Sequence, residues 1–301
     1  MTQPASQSHV ATLIALPGRL DDAALTRARA ALPGAGEPQL LAQATAADLP
    51  FSPEPGADQR AQGDRLRGML NGVDVVVQPA GNRRKKLFLA DMDSTMIEQE
   101  CIDELADYVG LKAHVAAITE RAMRGEIAFE PALRERVALL KGLPTATIGE
   151  VLEKRITLTP GGRELVATMR KAGAYTCLVS GGFTLFTQPL GALIGFNETR
   201  GNLLALDGLL LAGRVAEPIF GRETKRATLI ELRARLGLVQ DDTLVAGDGA
   251  NDLDMIAEAG LGVAFHAKPA VAAAARARIE HGDLTALLYA QGYKRDEFAS
   301  A

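Results

Sequence analysis

Leu87-Phe88-Leu89-Ala90-Asp91-Met92-Asp93-Ser94-Thr95 sets four apolar residues directly before two carboxylates. An apolar run of that length reads as a short strand buried on both faces, as in a parallel sheet. The arrangement recurs twice. Tyr175–Val179 runs into Ser180-Gly181-Gly182, and Thr243–Ala246 runs into Gly247-Asp248-Gly249-Ala250-Asn251-Asp252. Leu261–Phe265 is a further strand, and helices are expected at Gly162–Lys171 and Lys225–Leu236. Asp207-Gly208 between Leu203–Leu206 and Leu209–Leu211 predicts a hairpin. Strands alternating with helices predict an α/β fold, its parallel sheet covered on both faces. Ligands in such sheets gather beyond the carboxyl ends of the strands, so Asp91, Asp93 and Asp248 are expected on one rim.

Three crowded carboxylates repel one another unless a cation or a shared proton intervenes. Oxygen donors without His or Cys favour a hard cation, and Mg²⁺ suits them best where a phosphate supplies further oxygens. Ser180, the glycine N–H groups and Lys225, at the start of its helix, would hold the remaining phosphate oxygens. Taken singly, each piece has an ordinary reading. Asp-x-Asp caps helices, Ser-Gly-Gly makes turns, and Gly-Asp-Gly-x-Asn-Asp could be a calcium loop or a βα turn. The last is not the Gly-x-Gly-x-x-Gly dinucleotide fingerprint. The order of all the pieces, each after an apolar strand, is what carries weight.

Outward from this core, residues 1–84 read as a small βαββαβ-like unit. Its strands are expected at Val10–Leu16, Gln39–Gln43 and Val73–Gln78, its helices at Asp21–Leu32 and Asp58–Leu70, with a break at Pro50–Gly56. The basic run Arg83–Lys86 reads as a solvated linker rather than a nucleic-acid patch. Residues 85–301 form the second domain, with a helical insert at about 98–155. In that insert Ile102, Leu105, Ala106 and Val109 recur at helical spacing, and Gly110 is a stop. Phe129, Leu133 and Arg136 also share a helix face. On spacing alone, Arg136 is better read as salt-bridged to a glutamate or snorkelling at the surface than as a ligand grip.

The 301 residues are 47% hydrophobic and 23% charged, with net charge −4. That composition fits a soluble globular chain of about two domains. It gives no basic footprint for nucleic acid, and no apolar run is long enough for a membrane span. Met1–His9 is polar and lacks an apolar signal core. The only two cysteines, Cys101 and Cys177, form no metal pair and read as buried thiols. A cytoplasmic location is expected.

Asp91–Thr95, Ser180-Gly181, Lys225 and Gly247–Asp252 together resemble the four motifs of the haloacid dehalogenase superfamily, over roughly residues 85–285. Within it, DMDSTMIEQECIDE (Asp91–Glu104) and FEPALRERVALLK (Phe129–Lys141) are similar to the phosphoserine phosphatases. The resemblance implies a Rossmann-like core with a helical cap, and an ACT-like N-terminal domain that binds amino acids or mediates homodimer formation. It implies a Mg²⁺-dependent phosphoric monoester hydrolase that releases L-serine and phosphate from O-phospho-L-serine, the last step of serine synthesis. Asp91 would be the nucleophile and Asp93 the general acid and base. Asp91, Asp248 and the Asp93 carbonyl would hold the metal, with Asp252 orienting them. Ser180, Gly181, Lys225 and Asn251 would serve the phosphate side. Glu100 would meet the substrate ammonium, Arg136 its carboxylate, and Met123 and Phe129 would wall the pocket. Other readings stand beside this one: a superfamily phosphatase with another small substrate or one passing phosphate to an alcohol, and a sensor or binding protein that keeps the fold without catalysis.

Overall fold

The computed structural model describes residues 7–300, so the tip of the polar N-terminus, residues 1–6, lies outside the described residues. The N-terminal unit comprises β1 (His9–Ala15), α1 (Asp22–Ala31), β2 (Gln39–Ala42), β3 (Ala46–Phe51), α2 (Gln59–Met69) and β4 (Val73–Pro79). Its strands form an antiparallel sheet in the order β2-β3-β1-β4. Asp21 and Asp58 cap the two helices through their carboxylates. Alternation then divides the sheet. Leu13, Leu49 and Val75 pack under the helices with Leu25 and Leu66, while Ile14, Ala46 and Val76 face the second domain's core.

The expected break at Pro50 is corrected: β3 runs through it to Phe51. Pro50 directs its carbonyl away from β1, toward the Gly36 N–H, so its missing donor removes no bond to β1. The basic run is corrected as well. Arg83 turns inward to Asp48 and Thr12, and Lys85 is buried, donating to the Asn82 and Asp241 carbonyls. Only Arg84 and Lys86 face solvent. Alternating backbone sends every second side chain inward, and buried charge is tolerated where it is paired. Asp74 completes the contact by accepting N–H bonds from Glu280, His281 and Gly282.

The second domain is built on a six-stranded, all-parallel sheet in the order β12-β11-β10-β5-β6-β7. These strands are β5 (Leu87–Ala90), β6 (Tyr175–Phe183), β7 (Glu198–Asn202), β10 (Thr243–Gly247), β11 (Leu261–Phe265) and β12 (Ala277–Ile279). Between β7 and β10 lies the expected hairpin, β8 (Leu204–Asp207) and β9 (Leu210–Val215). Phe88 and Ala90 point to the face covered by α7 (Gly162–Lys171) and α8 (Thr184–Ile194). Leu87 and Leu89 point to the face covered by α9 (Arg222–Arg235) and α10 (Leu253–Glu258). Both faces are thus buried, as the unbroken apolar strands require. The chain leaves β5 toward β6 on one side and returns to β10 on the other, which opens a crevice at their carboxyl ends.

Over that crevice lie α3 (Cys101–Asp107), α4 (Lys112–Met123), α5 (Phe129–Leu139) and α6 (Ala146–Lys154). The Ile97–Leu158 bridge and the Glu98 N–H bond to the Thr157 carbonyl close the base of this insert.

Candidate active site

Three strand ends supply the polar side chains. β5 delivers Asp91, β10 delivers Asp248, and Ser180 lies inside β6 rather than after it, because that strand continues to Phe183 through an irregular register. Asp91, Asp248 and Asp252 bring carboxylate oxygens within 4.8 Å of one another, all buried. Gly247 makes this possible, since a Cβ there would lie 2.5 Å from the Asp252 Cγ. Asp252 was expected only to orient ligands; here it belongs to the cluster itself.

Lys225, fully buried, donates to Asp91 Oδ1 and Asp252 Oδ1, both at 2.7 Å. It is the fourth residue of α9, which begins three residues earlier than expected. Burial alone would depress this ammonium, but Asp252 and Asp91 outweigh burial and hold its pKa above the usual lysine range. Burial, with repulsion from Asp252, pushes Asp91 well up. Burial and Asp252 likewise push Asp248 up to about 7, against Lys268 and Lys225. Three carboxylates and one ammonium leave a net charge of −2 when ionised. A divalent hard cation fits both that charge and the all-oxygen donor set.

Asp93 lies beside this cluster. Its Oδ1 accepts the Cys101 N–H at 2.8 Å, and its Oδ2 accepts from Ser180 Oγ at 3.1 Å. Ser94, in the left-handed region at φ 55°, turns the chain after it. Burial raises the Asp93 pKa, against the Cys101 and Ser180 hydrogen bonds. Ser180 Oγ also accepts the Gly182 N–H. Two contacts escaped the sequence reading. Thr95 Oγ1 donates to Asp248 Oδ1 at 3.4 Å, and Ser94 Oγ donates to Glu100 Oε1 at 2.8 Å. Asn251 makes no hydrogen bond to Asp248 among the described residues. Its Oδ1 is instead buried without a partner.

The insert closes the pocket. Asp91, Asp93, Glu100, Met123, Phe129, Arg136, Gly181 and Asn251 all line one cavity. Phe129 lies so close to the β6 backbone that a Cβ on Gly181 would come within 2.6 Å of its Cζ. Burial, then Asp93 and Asp248, raise the Glu100 pKa. Arg136 is 2% exposed. Its Nε donates to the Ala132 carbonyl at 3.0 Å and its Nη1 to Thr119 Oγ1 at 2.9 Å. Among the described residues no carboxylate pairs with it, so neither the salt-bridged nor the snorkelling reading survives. Cys101 and Cys177 are buried, and burial raises both thiol pKa values.

Fold and site define a class, and comparison with known proteins agrees: the chain belongs to the haloacid dehalogenase-like hydrolases, whose family model matches residues 88–257. Within that class it belongs with the phosphoserine phosphatases. It is 48% identical over 208 residues to the phosphoserine phosphatase of Polaromonas sp., covering 67% of this chain and 88% of the relative. A solved phosphoserine phosphatase holding a phospho-aspartyl intermediate analogue is 36% identical, with TM-score 0.65, over 68% of this chain and 98% of that one. A probable phosphoserine phosphatase from Vibrio cholerae matches 97% of this chain and 88% of its own length, at 29% identity and TM-score 0.74.

Proposed function

We propose that this protein hydrolyses O-phospho-L-serine to L-serine and phosphate, with Asp91 as nucleophile. The observation that carries the reading is one cavity lined by Asp91 and Asp93 and also by Glu100 and Arg136, residues of opposite charge type. A phosphate ester of a zwitterionic amino acid matches each of these groups. A buried guanidinium with no direct carboxylate partner among the described residues calls for an anion, and the substrate carboxylate is that anion.

Asp91, oriented by Lys225 and the Met92 N–H, attacks phosphorus in line. The bond to the seryl oxygen breaks as Asp93, in its protonated form, donates its proton to that oxygen. Asp93 then takes a proton from water as the water attacks the aspartyl phosphate, and Asp91 is regenerated. Ser180, the Gly181 N–H and Lys225 stabilise the equatorial oxygens. Asn251 lines the pocket, where its amide NH2 would donate to the phosphate. Met123 and Phe129 exclude water. Asp91, Asp248 and the Asp93 carbonyl would hold Mg²⁺, with Asp252 beside them. When bound, the ion neutralises the carboxylates and polarises the phosphoryl oxygens.

The free volume in the cavity is about 30 Å³, which is room for about one water. Substrate entry therefore requires the cap to move. The ion pair between Lys268 and Glu120, 3.0 Å, joins cap to core. No helix among the described residues is long and apolar enough to cross a membrane, and we assign the enzyme to the cytoplasm. The domain division at 84/85 and a ligand-binding or dimerising role for the ACT-like unit belong to the same proposal.

Phosphate release from phosphoserine and a panel of other monoesters, with Mg²⁺ and with chelator, tests the reading. Preference for phosphoserine and loss with chelator are expected. Equal rates on glycerol phosphate and sugar phosphates would refute it.

A further inference from the structure

We propose that Thr119 and Asp103 act together as a positioning unit for Arg136, presenting its guanidinium to the substrate carboxylate without neutralising it. The inference rests on the reading of Arg136 as the carboxylate anchor.

The three residues come from three cap helices: Asp103 from α3, Thr119 from α4 and Arg136 from α5. Thr119 is 3% exposed. Its Oγ1 accepts from Arg136 Nη1 at 2.9 Å and donates to Asp103 Oδ1 at 2.7 Å. The Val115 carbonyl one turn earlier, at 3.0 Å, competes for the same proton. The carboxylate is the shorter and charge-assisted partner. The second fixed point on the guanidinium is Nε on the Ala132 carbonyl. Two bonds, at Nε and Nη1, set the plane of a rigid fork that has five N–H donors. The other three remain for a ligand.

Arg136 lines the cavity, whereas Thr119 and Asp103 stand behind it. That separation has a chemical consequence. A carboxylate bonded directly to Arg136 would occupy the donors a substrate needs and would have to be displaced. With a hydroxyl interposed, Asp103 compensates part of the buried charge while the fork stays open. Asp103 is one of the groups, after Glu100, that favour the charged form of Arg136 against burial. A threonine-to-valine change keeps the shape but deletes the hydroxyl, so both bonds are lost together.

The test compares phosphoserine with phosphoethanolamine, which retains phosphate and ammonium but lacks the carboxylate. Phosphoethanolamine is followed as kcat/KM at high enzyme concentration. In Thr119→Val, KM for phosphoserine should rise ~10-fold, the scale of one charge-assisted hydrogen bond. kcat should stay within about threefold, and kcat/KM on phosphoethanolamine within about twofold, since neither reports on the lost contact. Thr119→Ser should restore the phosphoserine KM. Thr119→Ala serves the same purpose should the valine variant not yield folded enzyme, and thermal unfolding is recorded for each. Equal losses on both substrates, or an unchanged phosphoserine KM, would overturn the proposal. Arg136→Met is run alongside. If it penalises phosphoserine alone while the Thr119 variants do not, positioning falls and the anchor stands. If it penalises both substrates equally, the anchor reading falls and takes this inference with it.

Discussion

Replacing Arg136 with methionine separates stability from function. Arg136 is 2% exposed, lies against Leu133 on the same helix face, and has two hydrogen bonds but no ion pair among the described residues. Burial pulls its pKa down, against Glu100 and Asp103, so the fold spends energy to keep this charge. A buried guanidinium without a direct ionic partner carries a desolvation cost that an apolar side chain of similar volume does not. Loss of the Thr119 bond takes back about 1 kcal/mol. Arg136→Met should therefore unfold in urea at an unchanged or higher midpoint. Catalysis should move the other way. Leaving a carboxylate unpaired in a closed site costs ~2–5 kcal/mol, or roughly 30- to 4,000-fold in kcat/KM. Urea titration by circular dichroism and steady-state phosphate release measure the two sides. A variant destabilised by several kcal/mol, or one retaining wild-type kcat/KM on phosphoserine, would refute the reasoning.

Asp93→Asn keeps the Cys101 N–H contact but cannot exchange a proton, so kcat should fall by ~10²–10⁴ with phosphoserine binding retained, measured by isothermal titration. Gly181→Ala places a methyl 2.6 Å from Phe129 Cζ, and the displaced ring should raise KM for phosphoserine several-fold, by an overpacking effect of ~1–3 kcal/mol; crystallography of the variant should find the ring moved. Burial alone would raise the Glu198 pKa, but hydrogen bonds from Arg235, Arg200 and Tyr175 outweigh it and hold it down to about 2. A carboxylate depressed on folding contributes stability above its ordinary pKa near 4.5, and loses it as pH falls toward 2. Glu198→Gln should thus lower stability by ~1–3 kcal/mol at pH 7 and flatten its fall between pH 5 and 2, seen in denaturation midpoints across that range.

What could be read from the sequence follows from how local each signal is. β5, α7 and β11 fall at the expected residues because unbroken apolar runs and amphipathic periodicity reside in the chain itself. The meeting of Asp91 with Asp248 followed from parallel-sheet geometry, which fixes where strand ends lie. β3 was hidden because Pro50 and Asp48 mask its apolar pattern, and β7 because Glu198–Asn202 is polar. The inward turn of Arg83 depends on Asp48, 35 residues away, and no local pattern encodes that pairing. Asp252 joined the acidic cluster because a glycine at 247 lets it approach. Arg136 is the most instructive case. Its place on an apolar face was visible, yet its lack of a carboxylate partner among the described residues is a property of three packed helices.

The central claim is that Asp91 carries the phosphoryl group in turn with water. Enzyme mixed with phosphoserine and Mg²⁺, quenched in acid within the first turnover and mapped by peptide mass spectrometry, tests it directly. A phosphorylated Asp91 that disappears as free phosphate accumulates, and that is absent in Asp91→Asn together with all turnover, is the predicted result. Turnover persisting in Asp91→Asn, or a phosphoryl group found on another residue, would contradict the account.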